Sequence, residues 1–185
     1  MGKKQSGFTI VELAVVIVVI SILATITILS YRGVQNQTYD SNVQTDLKNI
    51  AAAIKSYRVN TGAYPPASVD IASMDSVEGV NPRVTRSAYD VDQVLGDGHI
   101  RNLIICKQEG ATPKFGIAAL AKSGNSWFYK LDGGVTQNTL AWDGTSALCG
   151  QLGVASGQAG YANWFAYDRV QTTPADSGWR GWATK

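Results

Sequence analysis

The sequence predicts an α+β protein in which a long N-terminal helix, half of it transmembrane, packs on a C-terminal antiparallel sheet of about four strands. Three observations support this prediction. An apolar run extends from Phe8 to Leu29, an amphipathic segment follows from Tyr31, and short strand-like runs alternate with turns in the second half of the chain. A length of 185 residues suits one membrane segment and one domain of moderate size.

The apolar run has the length of a membrane span. At about 1.5 Å per residue a helix from Phe8 to Leu29 would be roughly 33 Å long, which matches a bilayer core of about 30 Å. Lys3 and Lys4 precede the run and predict that its N-terminal end is cytoplasmic. The run is longer than the apolar part of a secretory signal peptide, and no A-x-A-like cleavage site follows it. We therefore expect a retained membrane helix.

Glu12 is the single charged residue of this run. An ionised carboxylate near the centre of a membrane helix costs about 2.5–3.5 kcal/mol, and such groups are usually paired. Hydroxyl side chains such as Thr9 also interrupt the run, as in helices that pack on other helices. A passive anchor needs neither feature, so we expect Glu12 to have a partner outside its own helix.

The next segment predicts a continuation of the helix to about Asn60. Apolar residues recur there at helical spacing: Val43, Leu47, Ile50, Ile54 and Tyr57. We expect this stripe to pack on the globular domain. Gly62 and the prolines at 65 and 66 end the helix, because glycine suits the C-cap and proline cannot continue a helix. Gly33 is the predicted weak point within it.

The globular part predicts a β-meander. Four runs are rich in β-branched or aromatic residues and are bounded by Gly, Asp or Asn: Ile100–Cys106, Phe115–Ala121, Trp127–Leu131 and Trp164–Val170. Residues 64–100 are mixed, with a short helix predicted around Ala88–Leu95. The segment Asp132-Gly133-Gly134 predicts a turn after the third run. We expect an antiparallel meander with the long helix across one face.

Two cysteines, Cys106 and Cys149, lie in the part that the anchor would export. An even cysteine count in an exported domain favours a disulfide between them. A zinc site needs about four ligands, and the only histidine is His99. The acidic residues Asp90, Asp92 and Asp97 do not have the spacing of a calcium loop. We expect no metal and no cofactor.

Composition and motifs argue against other classes of function. Without Lys3 and Lys4, the remaining basic residues equal the 14 acidic ones, so bulk binding of nucleic acid is not expected. A local patch of arginines stays open as an alternative: Arg83, Arg86 and Arg101. No nucleophile, metalloprotease or phosphate-loop motif occurs, and a lone histidine lacks the partners of a catalytic base. The sequence is not that of an enzyme.

The segment Gly7-Phe8-Thr9-Ile10-Val11-Glu12-Leu13 closely resembles the class III leader junction of type IV pilins and pseudopilins, and Asn60-Thr61-Gly62-Ala63-Tyr64-Pro65 is similar to the segment after their long helix. The resemblance implies the pilin fold with four parts. These are a prepilin leader (1–7), a transmembrane and filament-core helix (8–30), its amphipathic continuation (31–60) and a globular head (61–185). The head would contain an αβ-loop, the sheet and a C-terminal disulfide region.

The resemblance also implies roles for single residues. Prepilin peptidase would cut between Gly7 and Phe8, and Phe8 would become the N-methylated mature N-terminus. Glu12, with Thr9, would act in assembly by pairing with the N-terminal amine of a neighbouring subunit. Breaking such a buried pair from one side costs roughly 3–5 kcal/mol, which would fix the axial register. The implied partners are other copies of the chain in a helical homopolymer, the peptidase, and indirectly an assembly platform and motor ATPases.

Our first interpretation is therefore a major subunit of a type IV pilus, anchored in the inner membrane before assembly and part of a surface filament afterwards. Such a filament would serve adhesion, motility or DNA uptake. Three alternatives stay open. They are a minor pilin with an adhesive or DNA-receptor role, a type II secretion pseudopilin, and a signal-anchored binding domain that never polymerises. The aromatic residues of the segment 178–182 fit core packing or an exposed binding surface.

Overall fold

The computed structural model describes residues 7–66, 84–174 and 178–179. The elements along the chain are helix α1 (Ile10–Thr61), a 3-10 turn (Arg86–Ala88), strands β1 (His99–Gln108), β2 (Lys114–Leu120), β3 (Ser126–Lys130) and β4 (Gly134–Asn138), helix α2 (Ala147–Gln151) and strand β5 (Ala162–Val170). The chain divides into two compact units, Met1–Gln37 and Thr38–Lys185, and α1 contributes to both. The predicted leader, apart from Gly7, lies outside the described residues.

The first unit contains the predicted apolar helix. Among the described residues, α1 is long and apolar enough to cross a membrane, by length and composition. Gly33 lies inside α1, and a Cβ at this position would meet no other atom within 4 Å. The helix ends where the sequence predicts, because Gly62 follows it with a φ of 81° and its N–H donates to the carbonyl of Arg58.

The second unit is built on a five-stranded antiparallel sheet with the order β4-β3-β2-β1-β5. The prediction of an α+β fold with a long helix and an antiparallel sheet is confirmed. The predicted turn after the third run is also confirmed, because residues 131–133 connect β3 to β4. The sequence prediction missed β4, whose residues Gly-Val-Thr-Gln-Asn are mostly polar, are partly or fully exposed and lack the apolar alternation of a half-buried strand.

The fourth predicted strand, Trp164–Val170, is confirmed as part of β5, but the expected order of the strands in the sheet was wrong. A simple meander would place β5 beside β3, but β5 pairs with β1 at the opposite edge of the sheet. The outer edge of β3 is already occupied by β4, so β5 has to pair elsewhere. The connection between β4 and β5 includes α2, and its apolar side chains cover one face of the sheet.

The two faces of the sheet carry separate cores. On one face lies the predicted stripe of α1, in which Val43, Leu47, Ile50 and Ile54 are fully buried against residues of β1, β2 and β3. On the other face, residues of the connection pack on the sheet: Trp142, Leu148, Leu152 and Val154. Gly116 in β2 permits this packing, since a Cβ there would lie 2.7 Å from the Cβ of Leu152.

The helix predicted around Ala88–Leu95 was wrong in extent. Only the turn Arg86–Ala88 is helical, and Tyr89 then forms an isolated β-bridge with Ala121. A carboxylate oxygen of Asp90 accepts hydrogen bonds from the N–H groups of Asp92 and Gln93, so the side chain replaces the helical partners of the backbone. Most of the predicted αβ-loop, residues 67–83, lies outside the described residues.

The C-terminal aromatic segment is described at Gly178 and Trp179 only. The ring of Trp179 is buried, with its centroid 4.9 Å from that of Tyr167 and 5.5 Å from that of Tyr89. This tryptophan therefore packs in the core, as one of the two interpretations expected. The predicted contribution of Trp182 lies outside the described residues.

Candidate functional site

The N-terminus of α1 is capped by three reciprocal hydrogen bonds between Thr9 and Glu12. The backbone N–H and the hydroxyl of Thr9 donate to Oε2 of Glu12 over 2.9 Å and 2.8 Å. The backbone N–H of Glu12 is 3.2 Å from Oγ1 of Thr9, which accepts it. This is a capping box, in which two residues satisfy N–H groups that the first helical turn leaves without partners. The Thr-x-x-Glu spacing is the sequence signal that could have revealed it.

The capping box holds the carboxylate of Glu12 at the positive end of the helix, which favours a negative charge there. Both bonds from Thr9 reach the same carboxylate oxygen, so the other oxygen, Oε1, is available to a further donor. The neighbouring side chains are open to solvent, with 90% of Phe8 and 88% of Ile10 exposed. The structure thus brings together three of the predicted site residues, Phe8, Thr9 and Glu12, at one helix end.

The apolar surface that follows is not covered by any described residue of its own unit. Large aliphatic side chains from Val11 to Ile28 are each about half exposed or more. They surround the helix instead of forming one stripe, and hydroxyl groups among them donate back to the helix: Ser21 to the carbonyl of Ile17 and Thr25 to that of Ser21. A helix that is apolar on all sides is stable only where something apolar surrounds it. Lipid or other helices are the two possible surroundings.

The second half of α1 carries two aspartates that hold it to loops of the head. Asp40 accepts hydrogen bonds from the hydroxyl of Ser123, from Nδ2 of Asn125 over 2.8 Å and from Nε1 of Trp127 over 3.1 Å. Sequence reasoning missed this residue. The donors lie more than 80 positions along the chain, and no local pattern identifies such a pair.

Asp46 makes the second attachment. It is buried and accepts from the N–H of Thr85 over 2.6 Å and from the hydroxyl of Tyr89 over 3.2 Å. Burial raises the pKa of Asp46 above its usual value, although the bonds from Thr85 and Tyr89 act in the opposite direction. The pKa of Tyr89 is also well above its usual value, first because the ring is buried and then because Asp46 is close.

The predicted disulfide is confirmed. Cys106 in β1 and Cys149 in α2 are joined, with Cα atoms 5.5 Å apart and a separation of 43 positions in the sequence. Both residues are buried in the core on the face of the sheet away from α1. The bond fixes the connection between β4 and β5 to strand β1 of the sheet.

The histidine and arginine that sequence reasoning considered lie in one polar cluster. Nδ1 of His99 is 2.7 Å from Oδ1 of Asp168, and Nε of Arg101 donates to the same oxygen over 3.1 Å. A second nitrogen of Arg101 donates to Asp97 over 2.6 Å, and this bond lowers the pKa of the Asp97 carboxyl. Arg101 is therefore engaged within the head. Arg83, which the basic-patch alternative also needs, lies outside the described residues.

Among the described residues, no three His, Cys, Asp or Glu side chains lie close enough together to hold a metal ion. Asp90 uses its carboxylate in the turn after Tyr89, and Asp97 uses its carboxylate to bind Arg101. Asp90 and Asp92 thus belong to the turn after Tyr89, whereas Asp97 belongs to the cluster around Arg101.

Comparison with known proteins agrees with the resemblance seen in the sequence. The profile of the family described as "Prokaryotic N-terminal methylation motif" matches residues 2–28. The chain is 31% identical to type II secretion system core protein G of Pseudomonas aeruginosa over 44% of this chain and 57% of that protein. It is 32% identical to the type IV major pilin protein PilA of Myxococcus xanthus over 55% of this chain and 43% of that protein.

A third relative, the type IV major pilin protein PilE of Neisseria gonorrhoeae, is 30% identical over 43% of this chain and 48% of that protein. The chain thus spans about half the length of the curated relatives it matches. No solved structure matches the chain significantly.

Proposed function

Because the chain is a homologue of type IV pilins and pseudopilins and carries their prepilin motif, we propose that it is a structural subunit of a type IV pilus. Its family consists of structural subunits and not of enzymes. The subunit would be held in the inner membrane by residues 8–30, cleaved after Gly7 and polymerised through α1 into a surface filament. Residues 31–60 would attach the globular head, residues 61–185, to this filament core.

The observation that carries the proposal is the unburied apolar half of α1 with Glu12 at its end. A membrane would cover the aliphatic side chains but would not supply a cation for the carboxylate. Neighbouring helices in a filament would supply both, because each cleaved copy brings a new α-amino group at Phe8. The capping box with Thr9 leaves Oε1 of Glu12 available to that amine.

Processing is tested by Gly7→Val in the full-length chain, with intact-mass and N-terminal analysis of the membrane fraction. We expect the variant to keep residues 1–7 and to form no filaments. Gly33→Ala is the matched control, because a Cβ at Gly33 meets no atom within 4 Å and alanine favours the helix. Cleavage of the Gly7 variant at the same bond would contradict the proposed processing site. Filaments from the uncleaved chain would contradict the role of cleavage in assembly.

A pseudopilus of type II secretion is the second candidate, and the similarity to core protein G of Pseudomonas aeruginosa favours it. Deletion of the chain's gene in its own cell separates the two. Loss of surface filaments with normal secretion supports the pilus, whereas loss of secretion with normal pili supports the pseudopilus. Mass spectrometry of sheared filaments gives the abundance of the chain, and a trace amount would indicate a minor subunit. A chain that is never found in filaments would be the non-polymerising, signal-anchored domain.

A further inference from the structure

A polar groove lies at one end of the β2–β3–β4 part of the sheet. Its volume is about 660 Å³. Three residues that are aligned across neighbouring strands form its floor, because Leu120 pairs with Ser126 and Ser126 pairs with Asn138. Gln93 and the segment from Gln137 to Trp142 also line it. All of these residues belong to the second unit.

The lining combines amides and hydroxyls with a small apolar patch, and none of its side chains is charged. The side-chain amides of Gln93 and Gln137 and the hydroxyl of Thr139 are exposed and have no hydrogen-bond partner within the part of the chain that the structure describes. Leu140 is 59% exposed beside them. The groove therefore offers uncharged donors and acceptors next to an apolar surface.

The frame around these open groups is fixed by internal hydrogen bonds. Nδ2 of Asn138 donates to the carbonyl of Leu140 and Oδ1 of Asn138 accepts from the N–H of Leu140, over 3.2 Å and 3.1 Å. Nε1 of Trp142 donates to the carbonyl of Arg101 over 2.8 Å. On the other side, Asn125 is held by Asp40 of α1. The rim is thus built before a ligand arrives, which lowers the entropy cost of binding.

We propose that this groove binds a neutral saccharide. Each glutamine amide carries both donors and an acceptor, a combination that matches adjacent hydroxyl groups of a sugar ring. The exposed side chain of Leu140 would contact the C–H face of the ring, and the volume lies in the range of small-ligand sites. The uncharged lining offers an anionic sugar or a nucleotide no counter-charge. This site goes beyond the proposed filament role and does not require assembly.

The test uses the full-length chain in a zwitterionic detergent that contains no sugar. Lactose, cellobiose, maltose and chitobiose are titrated as neutral probes and sialyllactose as the charged probe, with chemical shifts of the amides as the readout. We expect saturable shifts at the groove with a Kd on the order of 1 mM for at least one neutral disaccharide. The variant Gln93→Ala/Gln137→Ala should weaken this binding about tenfold through two lost hydrogen bonds.

Gln171→Ala is the matched control, because this glutamine follows β5 at the opposite edge of the sheet and should bind as the unchanged chain does. Thr139→Val provides a second groove variant of similar volume and should also weaken binding. The proposal is overturned if no neutral probe gives saturable shifts, if the control loses as much affinity as the double variant, or if sialyllactose binds best. Shifts that stay unchanged in both groove variants would place the sugar outside the groove and overturn it as well.

Discussion

The two halves of α1 differ in what covers their apolar side chains. From Val43 to Ile54 the apolar residues form one stripe, and the head buries that stripe completely. From Ile10 to Ile28 apolar residues occupy every side, and each large one is about half exposed or more. The first pattern is complete within one chain, whereas the second needs lipid or further copies. Within one helix, the apolar side chains of the second half are buried by the head, and those of the first half are not buried in the described chain.

The polar groups follow the same division. Asp40 and Asp46 of the second half accept hydrogen bonds from loops and strand β3 of the head. Among the described residues, the carboxylate of Glu12 in the first half is bonded only to Thr9, which directly precedes α1. Burial inside the chain should therefore determine the stability of the head, and burial between chains should determine assembly. Four predictions separate these two effects, beginning with the largest.

Glu12→Ala should abolish filaments without affecting the head. If Glu12 pairs with an amine of a neighbouring copy, the loss of roughly 3–5 kcal/mol per contact lowers assembly more than about a hundredfold. Quantitative immunoblots of sheared filaments measure this, and the membrane fraction shows whether the chain is still made and cleaved. Asp132→Asn, at an exposed turn, is the control for loss of a carboxylate. Normal filaments from the Glu12→Ala variant would contradict the proposed role of Glu12 in assembly.

A pair of leucine substitutions compares the two halves directly. Leu47→Ala should lower the free energy of unfolding of the head by about 2–5 kcal/mol, because Leu47 is fully buried. Leu23→Ala, at a site that is 59% exposed, should change it by less than about 0.5 kcal/mol. Denaturant unfolding of the full-length chain in detergent, followed by tryptophan fluorescence, gives both values. Equal losses would show that the first half is also buried within the chain.

Removal of the disulfide should destabilise the head by loosening the core on the face of the sheet away from α1. Cys106→Ser combined with Cys149→Ser should lower the free energy of unfolding by about 2–4 kcal/mol. The contacts of Leu47 and Ile50 are on the other face and should remain. Unfolding of the unchanged chain with and without a reductant provides the matched comparison. A variant as stable as the unchanged chain would mean that the disulfide does not constrain the connection.

The smallest effect concerns pH. Because the pKa of Asp46 is raised in the folded head, ionisation of this carboxyl is less favourable there than in the unfolded chain. Its contribution to the free energy of unfolding should therefore fall as pH rises from 3.8 to the folded pKa, and stay constant above it. Asp46→Asn should lack this fall, so the difference between the two proteins should vary with pH only in that window. A difference that is constant from pH 3 to about 8 would contradict the raised pKa.

The sequence predicted what depends on periodicity and composition. The apolar run, the stripe from Val43 to Ile54 and the four strands β1, β2, β3 and β5 are local patterns, and the structure contains each of them. The pairing of two cysteines in an exported domain leaves one possible connectivity. The helical and strand patterns can be read from the chain because neighbouring residues alone define them.

What the sequence did not predict depends on distant partners or on competition between elements. The edge strand β4 has mostly polar side chains that are partly or fully exposed, so it has no apolar signature. The position of β5 follows from the occupied edge of β3. At the candidate site, Thr-x-x-Glu was a local signal that sequence reasoning did not use, whereas the partners of Asp40 and Asp46 are set only by the folded head.

The separation of the two cores has a consequence for how such a chain can vary. The connection that contains α2 packs on Ile104, Cys106 and Ala118, and none of these side chains belongs to the core that includes α1. Substitutions at the exposed Ala155, Ser156 and Gln158 would therefore alter the outward surface while the helix-facing residues stay unchanged. Gly160 is an exception, because a Cβ there would lie 2.6 Å from the Cβ of Glu109, whose carboxylate accepts a hydrogen bond from the N–H of Tyr64 in the helix-facing core. The sheet acts as a partition, and the outer layer of the head is able to diversify without changing the face that holds the helix.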